Sequence, residues 1–422
     1  MFRGFLLALM ALPAYGQSFN DYDIAPHDYF GATLTDPMSV LLKRLGDPNE
    51  ALSEPNGKPL VRRLLKELGI PMESQVLVFT KTSLQRRVVN PESPRALYFN
   101  EDVYLGWMPN GRIEIASMDP KVGGVFYFQR PLDDSEQPIF HREESCLGCH
   151  AGSATNFLPG LLARSVFPDG NGRSLKNVKT FDRIGHQVPF DERWGGWLLS
   201  GEVGTARHMA NALASVEDGK ATLGQAKQPS KFFNAELHLR PDSDVLAMLL
   251  HDHQISMHHW MMEAHYRVRQ GLHDAKVKDT SRASLEAIES GEREDLEACV
   301  DRLMRYLLFA DEAPMGEESW KDGGDYRKVF LADRRQTVDG RSLKDLKLRE
   351  RIFKYRCSYM IYSKAFAALP LSLREEVYHR LYKVLTNDAD GFEHLGQEER
   401  EGILSILTET LPEAAAYWSR EA

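Results

Sequence analysis

Six consecutive residues, Ser145-Cys146-Leu147-Gly148-Cys149-His150, set two thiols three positions apart and place an imidazole directly after the second. Residues three apart on a helical turn share a face, so both sulfurs reach one edge of the same partner. C-x-x-C-H is the spacing with which two thiols add across the vinyl groups of a porphyrin while the next histidine binds its iron. The pattern predicts one covalent haem c, attached through Cys146 and Cys149, with His150 as the proximal iron ligand. Structural zinc wants four ligands, commonly two cysteine pairs, whereas Cys299 and Cys357 are isolated singles. A thiol–disulfide redox pair belongs in a strand-then-helix setting, which the flanking residues lack.

A c-type iron needs either a second strong ligand, giving an electron carrier, or an open face, which permits catalysis. The chain offers 14 histidines and 14 methionines, and two clusters stand out. In the first, Arg193-Trp194-Gly195-Gly196-Trp197 precedes Arg207-His208-Met209. Paired glycines allow a flat partner to approach the backbone closely. Trp194 and Trp197 are expected to cover a haem edge, and Arg193 and Arg207 to pair with its propionates. His208 is the candidate distal ligand, with Met209 behind it. The second cluster is the helical run Leu249–Trp260. At 100° per residue, His253, Met257 and Trp260 share one face, while His251, His258 and His265 share another. Such a stripe is most often a solvated face. The functional alternative puts His253 or His258 over the haem, as ligand or as an acid–base group. A weaker option is transition-metal capture by His251, His258 and Asp252.

The start of the chain bears on which chemistry applies. Met1-Phe2-Arg3 is followed by the apolar run 5–12, then Pro13 and Ala14-Tyr15-Gly16. A basic start, a short apolar core and small residues before a cut predict a cleaved signal peptide over residues 1–16. The run is far short of the ~20 residues that span a bilayer. The expected location is the periplasm, the side on which c-type haem is attached. A formal net charge of −9 argues against nucleic acid. Four cysteines in 422 residues are too few for a disulfide scaffold. Cys299 and Cys357 lie in helix-like, half-apolar segments, as a disulfide or as two buried thiols.

The segments that must position these residues have distinct textures. Short helical patterns at 38–45 and 59–68 precede the strand-like runs VLVFT, ALYF, DVYLGWM, RIEIAS and GVFYFQ between about Gln75 and Arg130. A glycine- and proline-rich stretch holds the cysteine pair. From about Ser243 the pattern is helical, with amphipathic runs at 244–272, 281–309, 346–368 and 371–385. The predicted class is α+β: a small β-rich N-terminal region (17–131), a loop-rich haem attachment region (132–240) and a mainly α-helical region (241–422).

Beyond the attachment motif, ERWGGW (192–197) with HMAN (208–211), HQISMHH (253–259), LLFADEAP (307–314) and FKYRCSYMIYS (353–363) occur in that order. Together they resemble a group of large, mostly uncharacterised bacterial proteins that carry one cytochrome-c-type haem motif, and the similarity covers most of the mature chain. The resemblance implies that both histidine clusters and Cys357 belong to a shared design, and it supplies no reaction. The second C-x-x-C-H of a dihaem peroxidase is missing. The reading that follows is a periplasmic monohaem c-type cytochrome that passes electrons to a redox partner protein. Its rival is a haem c-dependent oxidoreductase, peroxidase- or oxidase-like, with His253 or His258 catalytic and a small-molecule substrate. A one-electron carrier needs only about 100 residues to sheathe a haem, so the surplus chain favours a pocket or a docking surface.

Overall fold

The computed structural model describes residues 21–46, 52, 54, 56–130, 139–217, 220–280, 283–386 and 390–421; the expected signal peptide lies outside them. Two short helices come first, α1 (Pro37–Leu45) and α2 (Lys58–Glu67). Strands β1 (Val76–Val78), β2 (Arg95–Phe99), β3 (Val103–Trp107), β4 (Ile113–Asp119) and β5 (Gly123–Gln129) follow, each overlapping one of the five aromatic and β-branched runs. Next come β6 (Phe140–Arg142), the single-turn helix α3 (Leu147–His150), β7 (Trp197–Leu198) and the hairpin β8 (Ala214–Glu217) with β9 (Lys220–Leu223). The remainder is mostly helical: α4 (Val245–Asp274), α5 (Ser290–Leu307), α6 (Asp325–Ala332), the hairpin β10 (Leu346–Arg349) with β11 (Arg351–Phe353), α7 (Lys364–Ala367), α8 (Leu371–Thr386), α9 (Gln397–Thr410) and α10 (Pro412–Glu421). The class is α+β, as the sequence predicts.

Strands β1 to β7 form one antiparallel sheet in the order β6-β5-β4-β3-β2-β1-β7. Both edge strands come from the 132–240 region, so the border drawn at residue 131 cuts through the sheet. Side chains alternate across a strand, and both faces are covered. Leu77, Phe79, Tyr98 and Leu105 pack with Leu60, Leu64 and Leu65 of α2. Val76, Val78, Phe99 and Tyr104 join the larger core around α4. Helix α1 is tied to the sheet through its cap. Asp36 accepts from the amides of Met38 and Ser39, and the Tyr127 hydroxyl donates to its second oxygen at 2.9 Å.

Two expectations change. The run 346–368 is not a helix but a hairpin followed by a 3₁₀ turn (Tyr359–Tyr362) and the short α7. Leu348 and Glu350 hold φ values of 51° and 67°, which no helix allows. The apolar residues here also fit a period of two, with Leu348 and Ile352 buried and Lys347 and Arg349 exposed. The histidine-bearing helix α4 is not a surface element. Most of its length is enclosed, and His251, Asp252, His253, Gln254, His258, Glu263 and His265 are all buried. Cys299 and Cys357 are buried free thiols. Among the described residues no helix is long and apolar enough to cross a membrane.

Burial of α4 has a thermodynamic consequence. It pushes the imidazoles of His258 and His259 down to about 4, and that of His265 to about 3, from an ordinary 6.5. The folded protein therefore keeps these rings neutral while the unfolded chain protonates them below pH 6.5. Stability should be full above that pH and fall as pH drops toward 4, by up to about 1.4 kcal/mol per pH unit for each such ring. Urea midpoints measured across this range test it; a flat profile from pH 7 to 4.5 contradicts it.

Candidate functional site

The sheet face toward α4 is not packed solidly. A cavity of about 620 Å³ lies between β2–β5, α3, α4 and residues 161–164. Its floor is set by strand register. One rung runs Leu97–Gly106–Glu114–Phe128, and the next runs Phe99–Tyr104–Ala116–Phe126. The small residues Gly106 and Ala116 form the depression. A Cβ added to Gly106 would stand 3.1 Å from Leu97 Cδ2 and 3.5 Å from Arg95 Cδ.

The Cys–His turn forms one wall. A 3₁₀ turn over Glu144–Cys146 runs directly into α3, started by Glu143, whose carboxylate accepts from the Ser145 amide at 3.1 Å and its hydroxyl at 2.6 Å. Cys146, Cys149 and His150 all line the cavity, and both thiols are free. Burial pushes the Cys146 thiol up to about 12, so it is protonated at neutral pH. His150 Nδ1 lies 2.9 Å from the Gly160 carbonyl. A carbonyl only accepts, so Nδ1 carries the proton and Nε2 keeps its lone pair. Burial holds this imidazole down at about 4 against the opposing pull of that carbonyl, which keeps it neutral. The ring leans on Phe126, with centroids 4.5 Å apart.

The loop from His150 to Gly160 closes on itself, since the Gly160 amide also donates to the His150 carbonyl at 2.9 Å. The Gly124 amide donates to the Pro159 carbonyl at 2.9 Å and anchors the loop to β5. Gly123 has φ 85°, and a Cβ there would lie 2.5 Å from the Pro159 oxygen. Only glycine fits that approach. Asn156 Nδ2 donates to Glu263 on α4 at 2.8 Å.

Opposite stand His251 and Ile255 of α4, one turn apart. His251 is 2% exposed. Its ring centroid lies 5.3 Å from that of Phe99, 5.8 Å from Tyr104 and 5.6 Å from Trp197. Its Nδ1 is enclosed without a hydrogen-bond partner, 3.7 Å from the Asp252 carboxylate. Lys81, Arg86, Arg95 and Arg164 also line the cavity; Glu114 pairs with Arg95 at 3.0 Å and Asp182 with Arg164 at 3.1 Å. The arrangement suits a flat apolar ligand with sites for two thiols, a centre that binds imidazole, and anionic groups.

Several expected site residues lie elsewhere. Trp197 lines the cavity, its indole N–H donating to the Arg164 carbonyl at 2.9 Å. Trp194 does not; it donates to Asp252 at 2.8 Å. Arg193 is committed to the carbonyls of Val188 and His186, at 2.6 and 2.7 Å, and Arg207 is exposed outside the lining. His208 packs on Trp194 at 5.7 Å and accepts from the Ala210 amide at 3.2 Å, away from the lining residues. His253 lies 2.9 Å from His186 and 2.7 Å from the Ser358 hydroxyl, stacked with Tyr306 and Phe309. His258 donates to the Glu101 carbonyl at 2.8 Å. The helical step of 100° sends these histidines of an enclosed helix into separate environments, and His251 is the one of α4 on the cavity wall. Among the described residues no group of three or more His, Cys, Asp and Glu side chains is placed to hold a metal ion, so His251, His258 and Asp252 do not form one.

Sequence reasoning missed the sheet contribution: Arg95, Tyr104, Gly106, Glu114, Ala116 and Phe126. A usable signal existed, because Arg95 and Glu114 fall at strand positions in phase with Leu97, Gly106 and Ala116, an inward-facing mix that a solid core avoids. No family model, no curated protein and no solved structure matches the chain.

The geometry makes His253 a structural residue. Changing His253 to Ala leaves His186 and Ser358 without their partner and opens a void, which should cost about 2–4 kcal/mol. Chemical denaturation measures this; unchanged stability would show that the buried chain of hydrogen bonds is unimportant.

Proposed function

We propose that the cavity holds one haem c and that the protein is an exported monohaem c-type cytochrome, passing single electrons to a redox partner. The observation that supports this most directly is that the C-x-x-C-H turn opens into a cavity, with His150 Nδ1–H held by the Gly160 carbonyl so that Nε2 keeps its lone pair. A metal-binding histidine generally has its other nitrogen held in this manner. The volume, about 620 Å³, lies within the ~300–1,000 Å³ of ordinary cofactor pockets. The remaining donors fit as well: apolar and aromatic walls for a macrocycle, and cationic side chains for carboxylates. Haem supplies a one-electron ferric/ferrous couple when bound.

In this reading Cys146 and Cys149 would hold the group through thioether bonds, and His150 Nε2 would bind the iron. The neutral state of His150 means that no proton competes with the metal at neutral pH. Arg86, Arg95 and Arg164 would hold the propionates, Arg95 and Arg164 beside their pairs with Glu114 and Asp182, whereas Lys81 is bonded to the Arg86 and Val89 carbonyls and Arg193 and Arg207 lie outside the lining. The Phe126 ring packs against His150, and the sheet and α4 supply the apolar walls around it. Export rests on the sequence of residues 1–16 and matches the side of the membrane where such attachment takes place. A carrier is favoured over a peroxidase-like enzyme because His253 and His258, the expected acid–base groups, are bonded within the core.

Covalent attachment is the expected result. Protein denatured and extracted with acidified organic solvent should retain haem-linked peroxidase staining on a gel. Changing Cys146 and Cys149 together to Ala should abolish the stain, and Cys299→Ala should preserve it. Release of all haem into the solvent from the unaltered protein would end this reading.

A further inference from the structure

Resting on the haem reading, we infer that His251 is the second axial ligand, so that the iron is held between His150 and His251 in a closed, six-coordinate site. Four observations support it. First, the two rings stand over opposite ends of one rung of the sheet. His150 lies against Phe126, and His251 lies against Tyr104 and Phe99. Ala116 is the residue between Tyr104 and Phe126 on that rung. With strands ~4.8 Å apart, Phe126 and Tyr104 are separated by ~10 Å. That leaves room for two imidazoles whose facing nitrogens each sit ~2.0–2.1 Å from a metal, as in other metal–imidazole bonds.

Second, the small side chains fall where the ligand has to stand. Gly106 lies beside Tyr104 on β3 and Ala116 beside Glu114 on β4, and all four line the cavity.

Third, His251 is buried yet has no described hydrogen bond, and buried polar groups without partners are uncommon and ask for a missing one. Of the other buried imidazoles of α4, His253, His258 and His259 are each bonded to the protein, while His265 also lacks a described bond but does not line the cavity.

Fourth, the tautomer suits a metal. Nδ1 is enclosed beside the acceptor-only carboxylate of Asp252, so a proton there leaves the lone pair on Nε2, the nitrogen free for the cavity. Asp252 is itself held by the Trp194 indole N–H at 2.8 Å. That carboxylate stands 3.7 Å from Nδ1, beyond hydrogen-bond reach, so Trp194 and Asp252 flank the ring without bonding it, unlike the Gly160 carbonyl at His150.

The test uses the full haem-loaded protein and reads spectra. The unaltered ferric protein should be low-spin at neutral pH. Its ferrous form should bind carbon monoxide at a rate that levels off with ligand concentration, because loss of the imidazole limits it. His251→Ala should keep its covalent haem, shift to high spin, and bind carbon monoxide at a rate that rises linearly with concentration. Added imidazole should restore the low-spin spectrum. His208→Ala should match the unaltered protein. His251→Met should stay low-spin with a raised reduction potential, as a methionine ligand gives. Where neither His251 variant folds, the near-infrared magnetic circular dichroism band of the unaltered ferric protein decides, since it distinguishes His–His from His–Met or His–water ligation. Covalent haem that is high-spin in the unaltered protein, or still low-spin in His251→Ala without imidazole, overturns the inference and leaves the haem reading intact. Absence of covalent haem from the unaltered protein defeats the haem reading instead.

Discussion

Helix α4 passes through the interior with polar side chains on several of its faces. An unpaired polar group in such a place costs several kcal/mol, so the surrounding elements are constrained to supply partners. Asp252 receives the Trp194 indole, and Gln254 bonds Tyr104 of the sheet and Tyr359 of the C-terminal half. His258 reaches the Glu101 carbonyl, His259 the Leu161 carbonyl, and Glu263 takes Arg267, Arg302 and Asn156. Apart from the Glu263–Arg267 pair within α4, each bond fixes another segment against the same helix, and together they set the rotation and height of α4 over the sheet. That rotation decides which imidazole reaches the cavity.

The cavity exists because this matching stops on one side of α4. Where His251 and Ile255 face the sheet, the opposing strand positions are Gly106 and Ala116, too small to close the gap. The Cys–His turn enters from the other side, held by a loop whose two ends meet at His150 and Gly160. That loop is pinned to β5 through Gly124 and to α4 through Asn156, the two elements that also carry Phe126 and His251. Cys146, Cys149, His150 and His251 therefore stand on one connected framework. Pre-organisation of this kind is what the proposed haem would need to keep its ligands in place.

The C-terminal helices account for the length of the chain. They enclose the far side of α4, where His253 meets His186 and Ser358, and Cys357, Phe353 and Tyr359 complete that core. A helix carrying this many imidazoles could not be buried by a sheet alone, so the size of the protein follows from the environment of α4 as much as from any partner it meets.

By itself the sequence determined the local features. Short aromatic and β-branched runs marked β1 to β5, long helical periodicity marked α4 and α8, and three-residue spacing marked the Cys–His turn, because each depends on neighbours in the chain. Ambiguity appeared where the two periods overlap over a few residues, as in the hairpin at 346–353 read as helix. What only the tertiary structure decided was partnership. His208 was favoured for its nearness in sequence to Cys149, but its glycine-rich passage folds toward Trp194. His251 looked like one member of a surface stripe until burial of α4 sent each member elsewhere. The lining cations and the Gly106–Ala116 depression come from strand register across four strands. Register and helix rotation are set by long-range hydrogen bonds and packing, and no short stretch of sequence encodes them.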